Sequence, residues 1–133
     1  IQVNKQYEPI PRVLCFASQI NQVLMNILSN AVQAIEGQGQ IWISTLPIKA
    51  SSDSSGRVQI SIQDSGAGMS SETLEKIFEP FFTTKGVGQG TGLGLSISYG
   101  IIQNHGGEIQ VRSEPGIGTE FTLLIPVHPP KKQ

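Results

Sequence analysis

From position 64 to 95 the sequence reads DSGAGM, then IFEPFFTTK, then GVGQGTGLGL, while QVLMNILSNA upstream sets Asn26 and Asn30 four residues apart. Asp64 closes an alternating run of Val58, Ile60 and Ile62 and leads into Ser65-Gly66-Ala67-Gly68. A carboxylate at a buried strand end can accept a hydrogen bond from the exocyclic amine of adenine, and Gly66 and Gly68 let backbone approach the base with no side chain between. Such an acceptor selects adenine over guanine. Asp-Ser-Gly is equally the sequence of an Asx turn, and both readings stand for the segment taken alone.

Ten of the fifteen glycines fall between Gly86 and Gly118, five of them at alternate positions from Gly86 to Gly94. Ordering such a stretch is entropically costly, so it is expected to stay mobile until a ligand orders it. A helix is predicted directly after it, and the free N–H groups and positive dipole end of a helix start suit phosphate oxygens. Gly90, Thr91, Gly92, Leu93 and Gly94 are therefore candidate phosphate contacts, with a solvent-exposed linker as the competing reading of a lone glycine loop. The dinucleotide fingerprint is excluded, because Leu93 stands where its third glycine belongs and no strand directly precedes the loop; GK[ST] is absent as well.

Asn26 and Asn30 supply the remaining chemistry. Asparagine competes for backbone hydrogen bonds and is a middling helix former, so two of them beside a core-facing stripe call for a reason. A carboxamide oxygen can ligate Mg²⁺ and its NH₂ can donate to phosphate without adding negative charge near a triphosphate. Asn30 is assigned to the metal and Asn26 to positioning; a satisfied polar border at a helix–sheet contact is the alternative. Lys85, at the end of FEPFFTTK, could reach the terminal phosphate as a point charge, or simply be solvated. Of the adjacent Phe81 and Phe82, one is expected beneath the cover and the other toward a partner. Together the segments read as an ATP pocket with a flexible cover.

These residues need elements to hold them. Ile20, Val23, Leu24, Ile27, Leu28, Ala31 and Ile35 recur at three and four residues, the pattern of a helix with one face on a core. Ser18 is its expected N-cap and Gly37 and Gly39 its stop, and Gln22, Asn26, Asn30 and Gln33 form a carboxamide stripe beside the apolar face. Segments 40–46 and 57–63 read as a β pair joined by a polar hairpin loop, and 69–78 as a short helix begun by Ser70 or Ser71. Residues 93–104 form a second long helix, stopped at His105-Gly106-Gly107, where a histidine cation would complement the dipole and glycine the left-handed cap. Segments 108–113 and 119–127 make a final hairpin around EPGIG. An edge strand or extended lead-in is expected at 7–17, residues 1–15 serve as lead-in, and the tail from His128 is expected to fray. The predicted class is α+β: a two-layer α/β sandwich, its mixed, mostly antiparallel sheet covered on one face by about three helices.

Composition narrows the function classes. With 133 residues, 38% apolar content and nine Lys+Arg against ten Asp+Glu, the chain suits one globular domain without an electrostatic footprint for nucleic acid. Cys15 is the single cysteine, so no internal disulfide or cysteine-based zinc site can form, which points to an intracellular, cytoplasmic domain. No apolar run approaches the ~18 residues of a spanning helix. The start at Ile1 reads as a fragment of something longer, whose parent could be membrane-anchored. Neither His105 nor His128 sits in an arrangement suited to a nucleophile, general base or metal cluster.

QVLMNILSNAVQAI, DSGAGM, FEPFFTTK and GQGTGLGLS resemble, in order, the N, G1, F and G2 boxes of the catalytic ATP-binding domain of sensor histidine kinases. The likeness runs from about residue 16 to 125, and NAVQAI, PFFTTK and IIQNHGG look closest to the nitrogen-regulation branch. The resemblance implies the Bergerat-type sandwich shared with gyrase, mismatch-repair ATPases and a heat-shock chaperone, with ATP and Mg²⁺ as cofactors. It implies Asn30 on Mg²⁺, Asp64 on the adenine amine, Gly66 and Gly68 along the base, and Thr119 beside Asp64. Ala34 and Met69 join the nucleotide-binding set, Gly90 to Leu95 form the lid over the phosphates, and Asn26 and Lys85 are the residues closest to the transfer itself. Hydrolytic relatives carry a glutamate where Asn26 stands; a carboxamide is no base near neutral pH, so transfer should prevail over hydrolysis. Gln33 replaces a lysine common in the family, which leaves Lys85 to serve the phosphates. The implied partners are a dimerising phosphoacceptor helical hairpin of the same parent and a response-regulator receiver domain, the isolated domain being a monomer that binds Mg-ATP without labelling itself. A nucleotide-dependent binding switch and an anti-sigma-type serine kinase on the same fold are the competing functions.

Overall fold

The computed structural model describes residues 1–48, 56–80 and 94–128. In chain order the elements are β1 (Gln2–Tyr7), α1 (Ala17–Ala34), β2 (Gln40–Ile48), β3 (Arg57–Asp64), α2 (Ser71–Leu74), α3 (Gly94–Asn104), β4 (Glu108–Glu114) and β5 (Gly118–Pro126). The strands form one sheet in the order β1-β2-β3-β5-β4, with β1 parallel to β2 and every other pair antiparallel. Helices pack on one face of it, so the mixed two-layer sandwich expected from the sequence is the observed fold.

Alternation in the strands decides which face is covered. Ile41 and Ile43 of β2, Ile60 and Ile62 of β3, Phe121, Leu123 and Ile125 of β5, and Ile109 and Val111 of β4 join the core. Opposite them, α1 buries Ile20, Val23, Ile27 and Ala31, and α3 buries Ile101 and Ile102. Because strand period is two, Asp64 falls on the same face as Ile62, and its cross-strand neighbour Thr119 on the same face as Phe121. A carboxylate and a hydroxyl thus end two apolar rows at one end of the sheet.

Five local expectations are corrected. The edge strand is Gln2–Tyr7 and not the 7–17 segment; QVNKQY is polar and almost wholly exposed, so no apolar alternation marked it, and its pairing with β2 alone makes it a strand. Ser18 lies inside the first turn of α1. The N-cap is Phe16, whose ring has no acceptor for the first-turn N–H groups and which is held in place by its own N–H donating to Nε2 of His105 at 3.1 Å. Helix α1 also stops before Gly37 and Gly39: Ile35 takes an extended conformation and is buried, so core packing ends the helix early.

His105 is the fourth. It is 3% exposed, its Nδ1 lies 2.8 Å from the Ile101 carbonyl, and its Nε2 accepts from Phe16. A carbonyl can only accept, so Nδ1 carries the proton and Nε2 does not. The ring is a neutral brace between α3 and the start of α1, not a cation on the helix dipole. The expected left-handed glycine cap is present at Gly106, φ 72°, with Gly107 N–H returning to the Ile102 carbonyl. Helix α2 is the fifth: it spans only Ser71–Leu74 against the 69–78 expected, with turns following it, although its cap forms as read, the Ser70 hydroxyl accepting from Thr73 N–H with Glu72 in the first turn. The remaining boundaries agree within about two residues. Both hairpins form as paired strands, though the 49–55 loop and the tail beyond 128 lie outside the described residues. No described helix is long and apolar enough to cross a membrane.

Candidate nucleotide site

Among the described residues, five polar or charged side chains are buried: Ser61, Asp64, Ser98, His105 and Thr119. Burying a carboxylate is costly unless it is hydrogen-bonded. Asp64 is 5% exposed, and its Oδ1 accepts from the Gly66 N–H at 2.8 Å, which is the Asx turn. Burial pushes its carboxyl pKa above the ordinary 3.8, while the backbone N–H groups of Gly66 and Thr119 pull in the opposite direction and offset it only in part. The turn and the candidate adenine acceptor are therefore compatible; one carboxylate has lone pairs enough for both.

The loop after Asp64 is fastened on three sides. Ser65 Oγ accepts from Gln40 N–H at 2.9 Å, Ala67 N–H donates to the Ala34 carbonyl at 3.1 Å, and Met69 N–H donates to Ser113 Oγ at 2.8 Å. Its glycines have reasons the sequence reading did not reach. A Cβ on Gly66 would sit 2.6 Å from the Ala34 carbonyl oxygen, and Gly68 has φ +73° with its missing Cβ aimed at the backbone of Glu114. Both are required by packing of the loop against protein, before any base approaches.

Ser113 is a residue the sequence reading missed. Its hydroxyl donates to the Gly118 carbonyl at 3.0 Å, lies 2.8 Å from Thr119 Oγ1 and receives Met69 N–H. With its proton on Gly118, it takes the proton of Thr119 and leaves the Thr119 lone pairs available beside Asp64. The cross-strand register Ser113↔Thr119↔Asp64 was the available signal.

Along α1, Asn26, Asn30 and Ala34 stand on successive turns of one stripe, spanning about 12 Å of helix. Ala34 meets the loop that carries Gly66 and Ala67. At the far end, Asn26 Nδ2 donates to the Gly94 carbonyl and to Ser98 Oγ, both at 3.1 Å, pinning the first turn of α3. Asn30, half-buried and with interactions of its own, lies between the two. The order along the helix is thus acid and loop, single carboxamide, helix start. Leu95 and Met69 pack their side chains against the core cluster. Lys85, Gly90, Thr91, Gly92 and Leu93, with the two phenylalanines of the FEPFFTTK run, lie outside the described residues.

The residues present suit Mg²⁺ only in company with phosphate. Among the described residues no group of three or more His, Cys, Asp or Glu could hold a metal. Mg²⁺ is commonly held by one or two protein oxygens plus substrate phosphates and water, and one carboxamide oxygen from Asn30 fits that donor set. Two open hollows, one lined by Ile1, Gln2 and Gln38 to Gln40 and one by Asn4 to Gln6, Trp42 to Ser44 and Gln63, follow β1 and contain none of the candidate residues.

Comparison with known proteins identifies the family and the fold. Residues 16–129 match the family described as histidine kinase-, DNA gyrase B- and HSP90-like ATPase. The chain is 48% identical over 114 residues to the signal transduction histidine-protein kinase AtoS of Escherichia coli K12, covering 86% of this chain and 18% of that protein. Among solved structures, the catalytic domain of the histidine kinase ThkA superposes with a TM-score of 0.80 at 36% identity, covering 96% of this chain and 80% of that one. Full-length ShkA in complex with AMPPNP gives a TM-score of 0.81 at 30% identity, covering 98% of this chain and 26% of that one. The chain therefore spans about a fifth to a quarter of these full-length relatives. With a sandwich of the same topology, the acid at the sheet end and the family match across nearly its whole length, this chain belongs to the histidine kinase-, gyrase- and HSP90-like ATPases, as an ATPase domain of the sensor histidine kinase type.

Proposed function

We propose that this domain binds Mg-ATP and passes its γ-phosphoryl group to a histidine on a separate dimerising helical hairpin of the same parent protein. The phosphohistidine then serves the aspartate of a response-regulator receiver domain. What supports the reading is Asp64: a buried, partly compensated carboxylate at the end of the sheet, where the loop that follows it meets α1, with the Thr119 hydroxyl on the neighbouring strand. It accepts the adenine amine, with Thr119 alongside and Gly66, Gly68, Met69 and Ala34 shaping the loop around the base. Asn30 holds Mg²⁺, which neutralises charge on the phosphates when bound. Lys85 and the segment from Gly90 to Leu95 close over the phosphate end. In the transfer a ring nitrogen of the acceptor bonds to the γ-phosphorus as the bond to the β–γ bridging oxygen breaks, leaving ADP. Asn26 cannot take a proton from water, and its NH₂ is already given to Gly94 and Ser98, so hydrolysis is slow.

His105 is buried with both ring nitrogens bonded, so it is not itself available as the acceptor. Mixed with the hairpin, Mg²⁺ and γ-labelled ATP, the domain should produce acid-labile phosphohistidine on the hairpin, and Asn30→Ala should cut the rate by about 100-fold, the range for losing metal stabilisation of a phosphoryl group. Label in acid-stable phosphoserine, or nucleotide binding with no transfer at all, would replace this reading.

A further inference from the structure

We propose that Ser98 is a positioning residue for the nucleotide reaction: its hydroxyl fixes the carboxamide of Asn26 and, with it, the start of α3 against α1. Ser98 is 0% exposed, in the seam where α1 meets α3. A buried hydroxyl must be bonded, and a helical serine can satisfy itself on the carbonyl four residues back. Ser98 does so, donating to the Gly94 carbonyl at 2.8 Å. Its own need is met by that bond. The second contact, from Asn26 Nδ2 at 3.1 Å, therefore serves Asn26. Alanine would fill the position with better helix propensity and no polar group to satisfy, which marks the hydroxyl as having a task.

The task follows from donor and acceptor roles. The Gly94 carbonyl can only accept, and Ser98 has spent its proton on it, so both partners present lone pairs to Asn26. The carboxamide must turn its NH₂ to α3 and its oxygen to the opposite side. Asn26 stands one turn before Asn30, the proposed metal ligand, and Gly94 is the residue through which the glycine-rich segment enters α3. One hydroxyl thus sets the orientation of a candidate-site amide and the point where the phosphate cover joins the fold. Without it, Asn26 keeps a single acceptor and its amide can rotate.

The assignment rests on the nucleotide reading above, and a double-mutant cycle separates the two. The unaltered chain, Ser98→Ala, Asn26→Ala and the double variant are titrated with Mg-ATP by calorimetry and with adenosine by NMR. Ser98→Ala is expected to weaken Mg-ATP about tenfold, the worth of one well-placed hydrogen bond, while adenosine affinity stays within about twofold. The double variant should be no weaker than Asn26→Ala alone, because Ser98 acts through Asn26. Additive losses, or an equal loss for adenosine, would overturn the role of Ser98 alone. If the unaltered chain binds neither molecule, the nucleotide reading falls and takes this assignment with it. Should Ser98→Ala fail to fold, the similarly sized Ser98→Cys replaces it: intermediate Mg-ATP affinity is expected, and unchanged affinity would refute the role.

Discussion

Asp64→Asn is expected to weaken ATP binding by about 10- to 100-fold, the loss of a hydrogen bond to a charged group in a buried site, while the empty domain becomes no less stable. Asparagine keeps an oxygen to accept from Gly66 N–H, so the Asx turn survives; its NH₂ cannot accept from Thr119 N–H, a loss smaller than the burial cost of the charge, which outweighs both backbone contacts together. Its other end is then a donor, and a donor facing the adenine amine is repulsive. Binding falls because the charged acceptor is gone and a wrong partner replaces it. Stability moves the other way because Asp64 is buried and its folded-state pKa lies above 3.8.

The sign of that linkage is definite. A folded state that holds the Asp64 proton more tightly than the unfolded chain gains from this residue at pH below 3.8, and loses the gain as pH rises through the raised value. At neutral pH the ionised carboxylate is a net cost to the empty fold. Asparagine removes it, so thermal unfolding of the nucleotide-free variant should occur at or above the parent temperature near pH 7, with the difference shrinking in acid. Nucleotide binding needs the ionised form as acceptor, so ATP affinity of the unaltered chain should drop as pH falls through the same raised pKa. Calorimetric titrations across pH, with melts of the empty protein, read both arms. Stability retained for binding at the expense of the fold is the expected pattern of a functional acid.

Gly68→Ala should be among the most destabilising single methyl additions at the described residues of the site. The residue combines φ +73° with a missing Cβ that would overlap the carbonyl of Glu114 and approach Pro115, both backbone and neither able to swing aside. Left-handed strain and a backbone clash together cost about 3–5 kcal/mol, a large share of the ~5–15 kcal/mol of a whole domain. The melting temperature should fall by roughly 10–20 °C. Gly100→Ala is the control: it lies in α3 with no atom within 4 Å of a new Cβ, and exchange there should be neutral or stabilising by about 0.5–1 kcal/mol. Equal melts for the two variants would show that the loop is not held as described.

The sequence made some of this legible because local and tertiary signals agreed. The three-and-four spacing from Ile20 to Ala31 encoded the buried face of α1 outright, and the alternation of Val58, Ile60 and Ile62 placed Asp64 on the core side of β3. Ser70 and Glu72 announced a cap that formed. Where a distant residue decides, the sequence could not speak. Phe16 caps α1 because His105, 89 positions on, accepts its N–H, and Ile35 leaves the helix because the core captures it. Strand β1 exists through its pairing with β2 and carries no pattern of its own. The same holds at the site: glycines read as room for a base are first needed by Ala34 and Glu114, and Ser113 and Ser98 show their roles only when strands and helices are side by side.

On the proposed reading, Asp64 grips the adenine at one end of the α1 stripe and Asn30 holds the metal further along it. A crystal structure of this domain with AMPPNP and Mg²⁺ tests it most directly. The expected result is the exocyclic amine of adenine about 3 Å from an Asp64 carboxylate oxygen, the ordinary length of such a bond, and Mg²⁺ on Asn30 Oδ1 with the phosphates running toward Asn26 and the start of α3. A nucleotide seated along β1, or one whose base turns away from Asp64 while that carboxylate keeps only Gly66 and Thr119, would contradict it.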